Sequence, residues 1–411
     1  MTRVAVVGGG IGGLAAAIAL KRAGLEDVEV FERAPEIREV GAALTLWSNA
    51  LAAMARLGLD ARVVAAGREV VSGEFREPSG RVIVATPVGD VARELGFPSV
   101  CLLRADLQSI LVRAVADAGV PLRLGAECVS VEGLDSTEPR LRFADGRVVA
   151  ADVVVGSDGL RSVVRTALFG PEPPRYAGYP CWRAIARGAG PREGLAPGTA
   201  FETWGPGARF GAIDLGACAY WFASVNAPPN GSDGPDARRE ILARFGGWHA
   251  PIRELVESTP NEAIQRLDIL DRPPARQWGA GRVTLLGDAA HPSTPNLGQG
   301  GCLALEDAIV LARELRLGAA APERALRAYE AARRARAARV VRRSRRLGAL
   351  GQWESATLGR MRNAAMRLVP DRLTRRAFAE ILEEGIESLD GAAPPFRESS
   401  KTPSPPPAST R

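Results

Sequence analysis

Histidine, lysine and cysteine are scarce in this chain. Its 411 residues include 2 histidines and 5 cysteines, and lysine stands only at positions 21 and 401. The cysteines are far apart and form no CxxC pair, so together with two histidines they make a zinc site improbable. Because scattered single cysteines fit a reducing compartment better than a disulfide framework, we expect a cytoplasmic protein with no bound metal.

Long apolar runs are absent as well. No segment approaches the roughly 18 consecutive apolar residues of a membrane span, and glycines interrupt the N-terminal apolar stretch where a signal peptide needs continuity. The net charge of +6 comes almost wholly from arginine. No basic surface interleaved with aromatic residues accompanies it, so we expect a soluble globular protein of two or three structural units that does not bind nucleic acid.

The N-terminal residues carry a dinucleotide-binding pattern. A short apolar run leads into GGGIGG at residues 8–13, and a helix-forming stretch follows. In such a strand, turn and helix, Gly8 permits the tight turn, Gly10 lets the backbone approach a pyrophosphate, and Gly13 allows close packing of the helix. The helix N-terminus then presents free N–H groups to the anion.

An acidic residue follows this turn at the expected distance. The second apolar strand ends in Glu32, and 32 minus 13 places it 19 residues after Gly13. A carboxylate about 20 residues on accepts hydrogen bonds from the adenosine ribose hydroxyls. This favours an unphosphorylated ribose, as in FAD or NAD. The alternative is a glycine turn with only a structural role. That alternative does not explain why the strand, the turn, the helix and the acid follow one another at this spacing.

Changes in sequence texture divide the chain into five segments. Residues 1–171 follow a βαβ pattern, and residues 276–350 return to it with a strand and a long helix. Between them, residues 172–275 contain short strands with Pro, Gly and aromatic residues, typical of a separate sheet-rich unit. Residues 351–387 predict a helical segment, and residues 388–411 a disordered tail.

The C-terminal helical region is rich in arginine. A long helix is expected over residues 322–348, with its arginines facing solvent. The stretch after residue 360 also bears arginines and is partly amphipathic. Contact of that stretch with a membrane surface is an alternative to an ordinary solvated helix, and it is the less favoured of the two.

Two further strand ends combine glycine and acid. Asp158 and Gly159 follow a buried strand, and Asp288 follows another before a glycine-rich helix start at residues 298–302. An acid at a strand end can bind a polyol chain, and the helix N-terminus can stabilise negative charge on a ring carbonyl. His291, in the same corner, is expected to stabilise the turn or cap a helix rather than transfer a proton.

These motifs, in this order and spacing, resemble the class A flavoprotein monooxygenases, the para-hydroxybenzoate hydroxylase-like family, over residues 1 to about 350. Residues 31–43 and 298–302 are similar to the zeaxanthin epoxidase, urate hydroxylase and salicylate hydroxylase relatives within it. The resemblance implies an α/β fold. A Rossmann-like FAD-binding domain would be interleaved with a β-sheet-rich substrate domain and followed by C-terminal helices.

The resemblance also implies FAD contacts. The glycine turn and Glu32 would hold the ADP half, and Asp288 with the glycine-rich helix start would meet the ribityl chain and the isoalloxazine ring. NADH or NADPH would dock transiently, since the chain has only one GxGxxG. The matching positions are Gly8, Gly10, Gly13, Glu32, Arg33, Ala43, Arg104, Cys128, Asp158, Gly159, Asp288, Pro295, Gly298, Gly300, Gly301 and Cys302.

The family transfers one oxygen atom of O2, through C4a-hydroperoxyflavin, to an aromatic, N-heteroaromatic or polyene small molecule. Tyr179, Trp182, Arg209 and Tyr220 fall where such proteins line the substrate pocket, and Arg209 and Tyr220 would position the substrate. Core aromatics with a surface arginine are an equal alternative, and a one-residue shift would exchange Arg209 for Phe210. The resemblance does not decide whether the reaction is hydroxylation or epoxidation. The oligomeric state, monomer or homodimer, also stays open.

Two other functions fit the same motifs. A flavin-dependent reductase or dehydrogenase would use FAD and NAD(P)H without transferring oxygen. A non-catalytic flavin- or prenyl-binding protein would keep the fold and bind ligand but consume no NAD(P)H, because a fold does not establish an activity. Incorporation of labelled oxygen distinguishes the three.

Overall fold

The structure is a computed structural model that describes residues 2–37, 42–188 and 192–390. The segments 38–41 and 391–411, which include most of the expected disordered tail, lie outside the described residues. The strands are β1 Arg3–Val7, β2 Asp27–Phe31, β3 Ala43–Leu46, β4 Arg68–Glu69, β5 Ser72–Arg76, β6 Val82–Thr86, β7 Val100–Leu103, β8 Leu122–Arg123, β9 Cys128–Glu132, β10 Arg140–Phe143, β11 Val148–Ala150, β12 Val153–Gly156, β13 Arg175–Arg187, β14 Thr199–Gly205, β15 Ala208–Asp214, β16 Cys218–Val225, β17 Gln265–Asp271, β18 Gly279–Ala280 and β19 Val283–Leu285.

The helices alternate with the strands in the first part of the chain and dominate the last. They are α1 Ile11–Arg22, α2 Ser48–Arg56, α3 Asp60–Ala66, α4 Val88–Leu95, α5 Arg104–Asp117, α6 Val163–Phe169, α7 Ala237–Phe245, α8 Ile252–Glu257, α9 Gly300–Leu317, α10 Pro322–Gly351, α11 Ala356–Arg367 and α12 Asp371–Asp390. Short 3-10 turns at Gly287–Ala289 and Pro295–Leu297 connect β19 to α9.

A six-stranded, mostly parallel sheet forms the nucleotide-binding half, in the order β18-β19-β12-β1-β2-β8. Strands β1, β12 and β19 are almost wholly buried because helices cover the sheet, which explains their continuous valine and leucine runs. The three strands are parallel neighbours. Their carboxyl ends therefore bring the glycine turn, Asp158 and Asp288 to one edge of the sheet.

A seven-stranded sheet, which we call the substrate sheet, has the order β17-β13-β16-β15-β14-β5-β6. Its central pairs are antiparallel, and β14 and β5 are parallel. Helices α7 and α8 pack on one face, around Phe210, Trp221 and Phe245. Strands β5 and β6 come from residues 72–86, so the sheet also recruits a part of the chain that we assigned to the first segment.

The C-terminal segment, predicted to be helical over residues 351–387, consists of two helices, α11 and α12. Pro370 lies between them, at a point where its ring cannot continue the preceding helix. Helix α12 returns to pack against α2 and α9. No helix in the described ranges is both long and apolar enough to cross a bilayer.

Candidate active site

The glycine turn after β1 leaves room for an anion on one side only. A Cβ on Gly8, whose φ is +107°, would lie 2.5 Å from the Ser157 carbonyl oxygen, and one on Gly13 would lie 1.9 Å from the Gly8 carbonyl oxygen. In contrast, no described heavy atom lies within 4 Å of a Cβ built on Gly10. Helix α1 begins there without a side-chain cap, so its first N–H groups face this open side.

Glu32 is held against this turn by backbone amides. Its carboxylate accepts hydrogen bonds from the Gly9 N–H at 2.6 Å and the Ala34 N–H at 2.9 Å. These two bonds fix the carboxylate at the end of β2, beside the turn, where the motif places the ribose. Arg33 is exposed next to it. The geometry fits the ADP half of a dinucleotide.

Helix α5 supplies a contact that our sequence analysis missed. The Gln108 side chain donates to the Gly9 carbonyl oxygen at 2.7 Å and so braces the turn. Arg104 lies one helical turn earlier on the same face, with its side chain exposed, and its backbone N–H donates to the Ala42 carbonyl at 3.1 Å. The sequence could have indicated this contact, because residues four apart on a helix lie on the same face and Gln108 follows Arg104 by four. Ala43 begins β3 beside this corner and pairs with Leu103.

Only one oxygen of the Asp158 carboxylate has hydrogen-bond partners among the described residues. Its Oδ2 accepts from the Val163 and Val164 N–H groups at 2.7 and 3.3 Å, whereas its buried Oδ1 has no partner among the described residues. Burial raises the pKa of Asp158. Burial and the charge of Asp158 together raise the pKa of the nearby Cys128 thiol to about 11, so that thiol is neutral. The unpartnered Oδ1 of Asp158 could accept a hydrogen bond from a ligand bound at this edge of the sheet.

Asp288 and the start of α9 face the same space. A Cβ on Gly300 would lie 3.9 Å from the Asp288 Oδ1, and α9 begins without a side-chain cap. The Asp288 carboxylate is open to the cleft but surrounded by protein. This environment raises its pKa, an effect that His291 and Arg104 oppose. An acid beside free helix N–H groups suits a polyol hydroxyl and a ring carbonyl.

The glycine loop before α9 shows a second orphaned group. Gly298 has φ of +62°, and a Cβ there would lie 2.8 Å from Nε1 of Trp47. That indole nitrogen is buried and has no hydrogen-bond partner within the described ranges. Cys302 packs beneath the loop, where burial raises the pKa of its thiol to about 12. Cys302 is therefore a neutral packing residue.

His291 stabilises the turn, in agreement with our expectation. Its Nε2 lies 2.6 Å from Oδ2 of Asp307, which also accepts from the Gly287 N–H at 3.2 Å. Arg333 of α10 donates to the other Asp307 oxygen at 2.7 Å and to Glu306 at 2.5 Å. These bonds tie the Gly-Asp corner to the two long helices.

The expectation that the α10 arginines face solvent is wrong for Arg333 and Arg336. Their side chains are buried, and both pair with the fully buried Glu306. Although burial opposes ionisation, the two guanidinium groups hold the pKa of Glu306 at about 2. The alternation of Ala with Arg along α10 is typical of a solvent-exposed helix. The burial of these two arginines becomes evident only when α10 is packed against the acids of α9.

The substrate sheet presents its other face to the cleft. Tyr220 of β16 lies opposite Ile185 of β13 and Ile213 of β15. These side chains pack with Trp47 and Phe378 in an apolar cluster, which we call the cleft wall. Most of the aromatic members are half-buried, because this face opens toward the glycine loop. Burial raises the pKa of Tyr220, which is therefore a neutral hydroxyl.

Arg209 points to the same face and already has three hydrogen-bond acceptors. It donates to Glu202 at 2.9 Å, to Asn296 at 2.8 Å and to Gln352 at 3.2 Å. Its guanidinium carbon also lies 4.9 Å from the ring centroid of Tyr179, whose hydroxyl donates to Asn296 at 3.1 Å. Arg209 is thus buried rather than a surface residue, and through Asn296 it positions the loop at Pro295–Leu297. Its contact with a substrate stays a prediction.

A cavity of about 480 Å³ lies on the outer side of this network. Tyr179, Asn226 and Gln352 contribute to its wall, but none of the dinucleotide-binding residues does. It is therefore distinct from the dinucleotide cleft, and we assign no substrate to it.

The structure corrects the placement of Trp182. Its ring packs in the core under α7 and α8, and its indole N–H donates to Asp233 at 2.9 Å. Successive side chains of a strand point to opposite faces. Since Cys181 and Ile185 face the cleft side, Trp182 faces away from it. The residue of β13 that faces the cleft at this level is Arg183, which our sequence analysis did not single out.

Comparison with known proteins agrees with this geometry. A family model described as "FAD binding domain" matches residues 1–172 and 236–344. The aurachin C monooxygenase/isomerase of Stigmatella aurantiaca is 48% identical over 377 residues, which cover 91% of this chain and 96% of that protein. An FAD-dependent urate hydroxylase of Mycolicibacterium vanbaalenii is 35% identical over 315 residues, with coverages of 75% and 78%.

A solved structure supports the same conclusion for the fold. Klebsiella pneumoniae HpxO, complexed with FAD and uric acid, superposes with a TM-score of 0.84 at 29% identity, covering 93% of this chain and 97% of that one. The predicted family, α/β fold and FAD cofactor are confirmed. The chain belongs to the family of FAD-dependent monooxygenases.

Proposed function

We propose that this FAD-dependent monooxygenase transfers one oxygen atom of O2 to a flat, largely apolar aromatic or N-heteroaromatic small molecule, with NADH or NADPH as reductant. The observation that carries the proposal is the cleft wall, in which Ile185, Ile213 and Tyr220 face the glycine loop together with Trp47 and Phe378. A wall of this composition favours a planar apolar ring and excludes water.

Each polar group at the cleft edge has a role toward FAD. The N–H groups of α1 would hold the pyrophosphate, Glu32 the adenosine ribose, and Asp288 the ribityl hydroxyls. The first N–H groups of α9 would stabilise negative charge on the ring system. When bound, FAD supplies the activation of O2 that the side chains themselves do not provide. Neutral Cys128 and Cys302 would pack beside it.

Aurachin C is the first compound to test, because a monooxygenase named for it matches this chain over nearly its full length. The purified holoenzyme is given NADH or NADPH, aurachin C and 18O2, and the product mass is measured. We expect incorporation of one labelled oxygen atom, with substrate-stimulated NAD(P)H oxidation and little peroxide. A panel of simpler aromatic and N-heteroaromatic rings tests the substrate class if aurachin C itself is not converted.

The alternatives give different results in the same assay. Oxidation of NAD(P)H with a reduced product and no labelled oxygen would identify a flavin-dependent reductase. Bound FAD with no consumption of NAD(P)H across the whole panel would identify a non-catalytic flavin-binding protein. Either outcome would contradict the proposed activity while leaving the FAD site intact.

A second proposal concerns the surface of α11 and α12, which would contact a membrane from which an apolar substrate is taken. Leu368 is 83% exposed, Met361 63% and Leu373 52%, and the exposed Arg360 and Arg372 lie beside them. Apolar side chains flanked by arginines suit an anionic bilayer surface. Helix α12 also carries Phe378 of the cleft wall, so it connects this surface with the cleft.

Flotation tests this contact. We expect the protein to float with vesicles that contain phosphatidylglycerol, and the double variant L368S/L373S to stay in the dense fraction. The control is L267S, because Leu267 is equally exposed, at 52%, on an edge strand of the substrate sheet. Wild-type protein that does not float, or a double variant that floats normally, contradicts the proposal.

A further inference from the structure

Arg183 lies on the cleft side of the substrate sheet, on the strand next to the β17 edge. It stands between Cys181 and Ile185 on β13, and its cross-strand neighbours are Phe222 of β16 and Gln265 of β17. Its side chain is half-buried, and the charges and dipoles acting on it come first from Cys181 and then from Tyr220. A guanidinium group is thus placed beside the apolar cleft wall.

This arginine lacks the acidic partner that Arg209 and Arg333 have. Its Nε is buried without a hydrogen-bond partner in the described part of the chain. It forms no ion pair with a described carboxylate. Its neighbours are the thiol of Cys181, which shares a hydrogen bond with it, and the phenols of Tyr220 and Tyr179. By contrast, Arg209 pairs with Glu202, and Arg333 pairs with two acids. Buried arginines almost always have an anionic partner.

An unpaired cation in an apolar wall is unfavourable in the free protein. It becomes favourable when a ligand brings an anionic oxygen, because a guanidinium binds oxyanions through several N–H groups and water is excluded. A neutral polyene would leave the charge unpaired. Of the substrate classes that the family resemblance leaves open, Arg183 therefore favours aromatic compounds with an anionic oxygen over neutral polyenes.

We propose that Arg183 binds an anionic oxygen carried by the aromatic substrate, either a ring oxyanion or a ring carboxylate. The inference rests on the proposed function and narrows its substrate class to acidic hydroxyaromatic, hydroxy-N-heteroaromatic or aromatic carboxylic compounds. Arg183 anchors this group and so sets which ring edge points to the glycine loop. In hydroxylation, C–H becomes C–OH, the second oxygen atom leaves as water, and NAD(P)H supplies the two electrons.

Two matched pairs of probes test the proposal by calorimetric titration of the oxidised holoenzyme at pH 7. Naphthalene-2-carboxylate is compared with its neutral amide, and 2-hydroxy-1,4-naphthoquinone, an anion at this pH, with its neutral methyl ether. We expect the wild type to bind the anion of at least one pair roughly tenfold more tightly or better, about 1.4 kcal/mol. The pair that shows the larger preference for its anion indicates whether Arg183 binds a carboxylate or a ring oxyanion. Equal binding within both pairs overturns the proposal.

Variants assign the preference to this residue. R183Q is expected to bind the anion no more than about twice as tightly as its neutral partner, with the neutral affinity unchanged, and R183K to keep part of the preference. The matched control is R187Q, which removes an exposed arginine from the same face of the same strand and should keep the preference. R183Q with undiminished anion preference also overturns the proposal.

Two further measurements separate this result from other failures. Thermal unfolding of ligand-free R183Q is expected at or above the wild-type temperature, because the change removes a half-buried charge that has no acidic partner among the described residues. Failure to incorporate labelled oxygen would contradict the proposed activity without changing the binding ratios. Conversely, oxygen transfer with equal binding of anion and neutral probe would contradict only the role of Arg183.

Discussion

At the scale of single residues, Arg209 and Arg183 on the cleft side of the substrate sheet differ in their acidic partners. Arg209 pairs with Glu202, whereas Arg183 forms no ion pair with a described carboxylate, and its Nε has no partner among the described residues. Residue type alone does not separate them. The same contrast distinguishes Asp158, with one orphaned oxygen, from Glu32, which two backbone amides hold.

Replacement of Asp288 tests the FAD site. Asp288→Ala is expected to weaken FAD binding by at least tenfold, because hydrogen bonds to a charged group contribute about 1.5–3 kcal/mol each. Titration of the apoprotein with FAD, followed by flavin fluorescence, measures the change. Asp145→Ala, in an exposed turn of the same half, is the control and should bind FAD normally. A D288A protein with full colour and affinity would contradict our assignment.

At the scale of elements, α9 and α10 are joined by charges rather than by apolar packing alone. Glu306 and Asp307 of α9 meet Arg333 and Arg336 of α10, and all four side chains are buried. Asn49 of α2 also donates to Glu306 at 2.6 Å. Because the Gly287 N–H and His291 bind Asp307, the same charges hold the corner that carries Asp288.

Glu306→Gln is expected to destabilise the fold strongly. Removal of one partner from a buried ion pair leaves an uncompensated charge and typically costs about 3–5 kcal/mol. Urea unfolding of the holoenzyme measures the loss. Glu380→Gln is the control, since the Arg376–Glu380 pair is an exposed pair one helical turn apart and should contribute less than about 1 kcal/mol. Similar losses for both variants would contradict the importance of the buried network.

The same network predicts a loss of stability in acid. Although burial opposes ionisation, Arg333 and Arg336 hold the pKa of Glu306 at about 2, and His291 and Arg333 hold the pKa of Asp307 at about 2. Both values are roughly 4 in an unfolded chain. Because the folded pKa is lowered, this contribution is complete above about pH 4 and is lost as the pH falls toward 2. The midpoint of thermal unfolding, measured from pH 6 to pH 3, should fall most steeply at the acidic end. In the double variant E306Q/D307N the acidic fall should be smaller.

At the scale of the whole molecule, the substrate sheet and the FAD-binding half meet at the loop Pro295–Leu297. Asn296 accepts hydrogen bonds from Tyr179 and Arg209 of the sheet and donates to the Ser344 carbonyl of α10. One amide side chain therefore joins three parts of the fold. The position of a substrate relative to the flavin would depend on this junction.

Arg209→Gln tests the junction. The variant is expected to bind FAD but to release more peroxide per NAD(P)H consumed, because a displaced substrate no longer meets the reactive part of the cofactor. The coupling ratio, product formed per NAD(P)H oxidised, is expected to fall several-fold. Arg187→Gln, exposed at the end of β13, should leave the ratio unchanged. An unchanged ratio in R209Q would show that the junction does not position the substrate.

Much of the FAD site can be read from the sequence because its determinants are local. The turn, the helix N-terminus and the acid at the end of β2 follow from spacing within some thirty residues, and the structure places Gly10 and Glu32 accordingly. The start of α9 and the bounds of α10 also agree closely with the sequence prediction. Local backbone chemistry suffices for such elements.

The amino-acid sequence by itself determined the dinucleotide-binding turn, the family and the order of the two halves. Only the tertiary structure decided that Trp182 faces away from the cleft, that Arg183 faces it without an acidic partner among the described residues, and that Arg333 is buried against α9. The reason is physical. Strand parity, cross-strand register and helix pairing depend on residues far apart in the chain, so a side chain's partners appear only when distant segments are packed together.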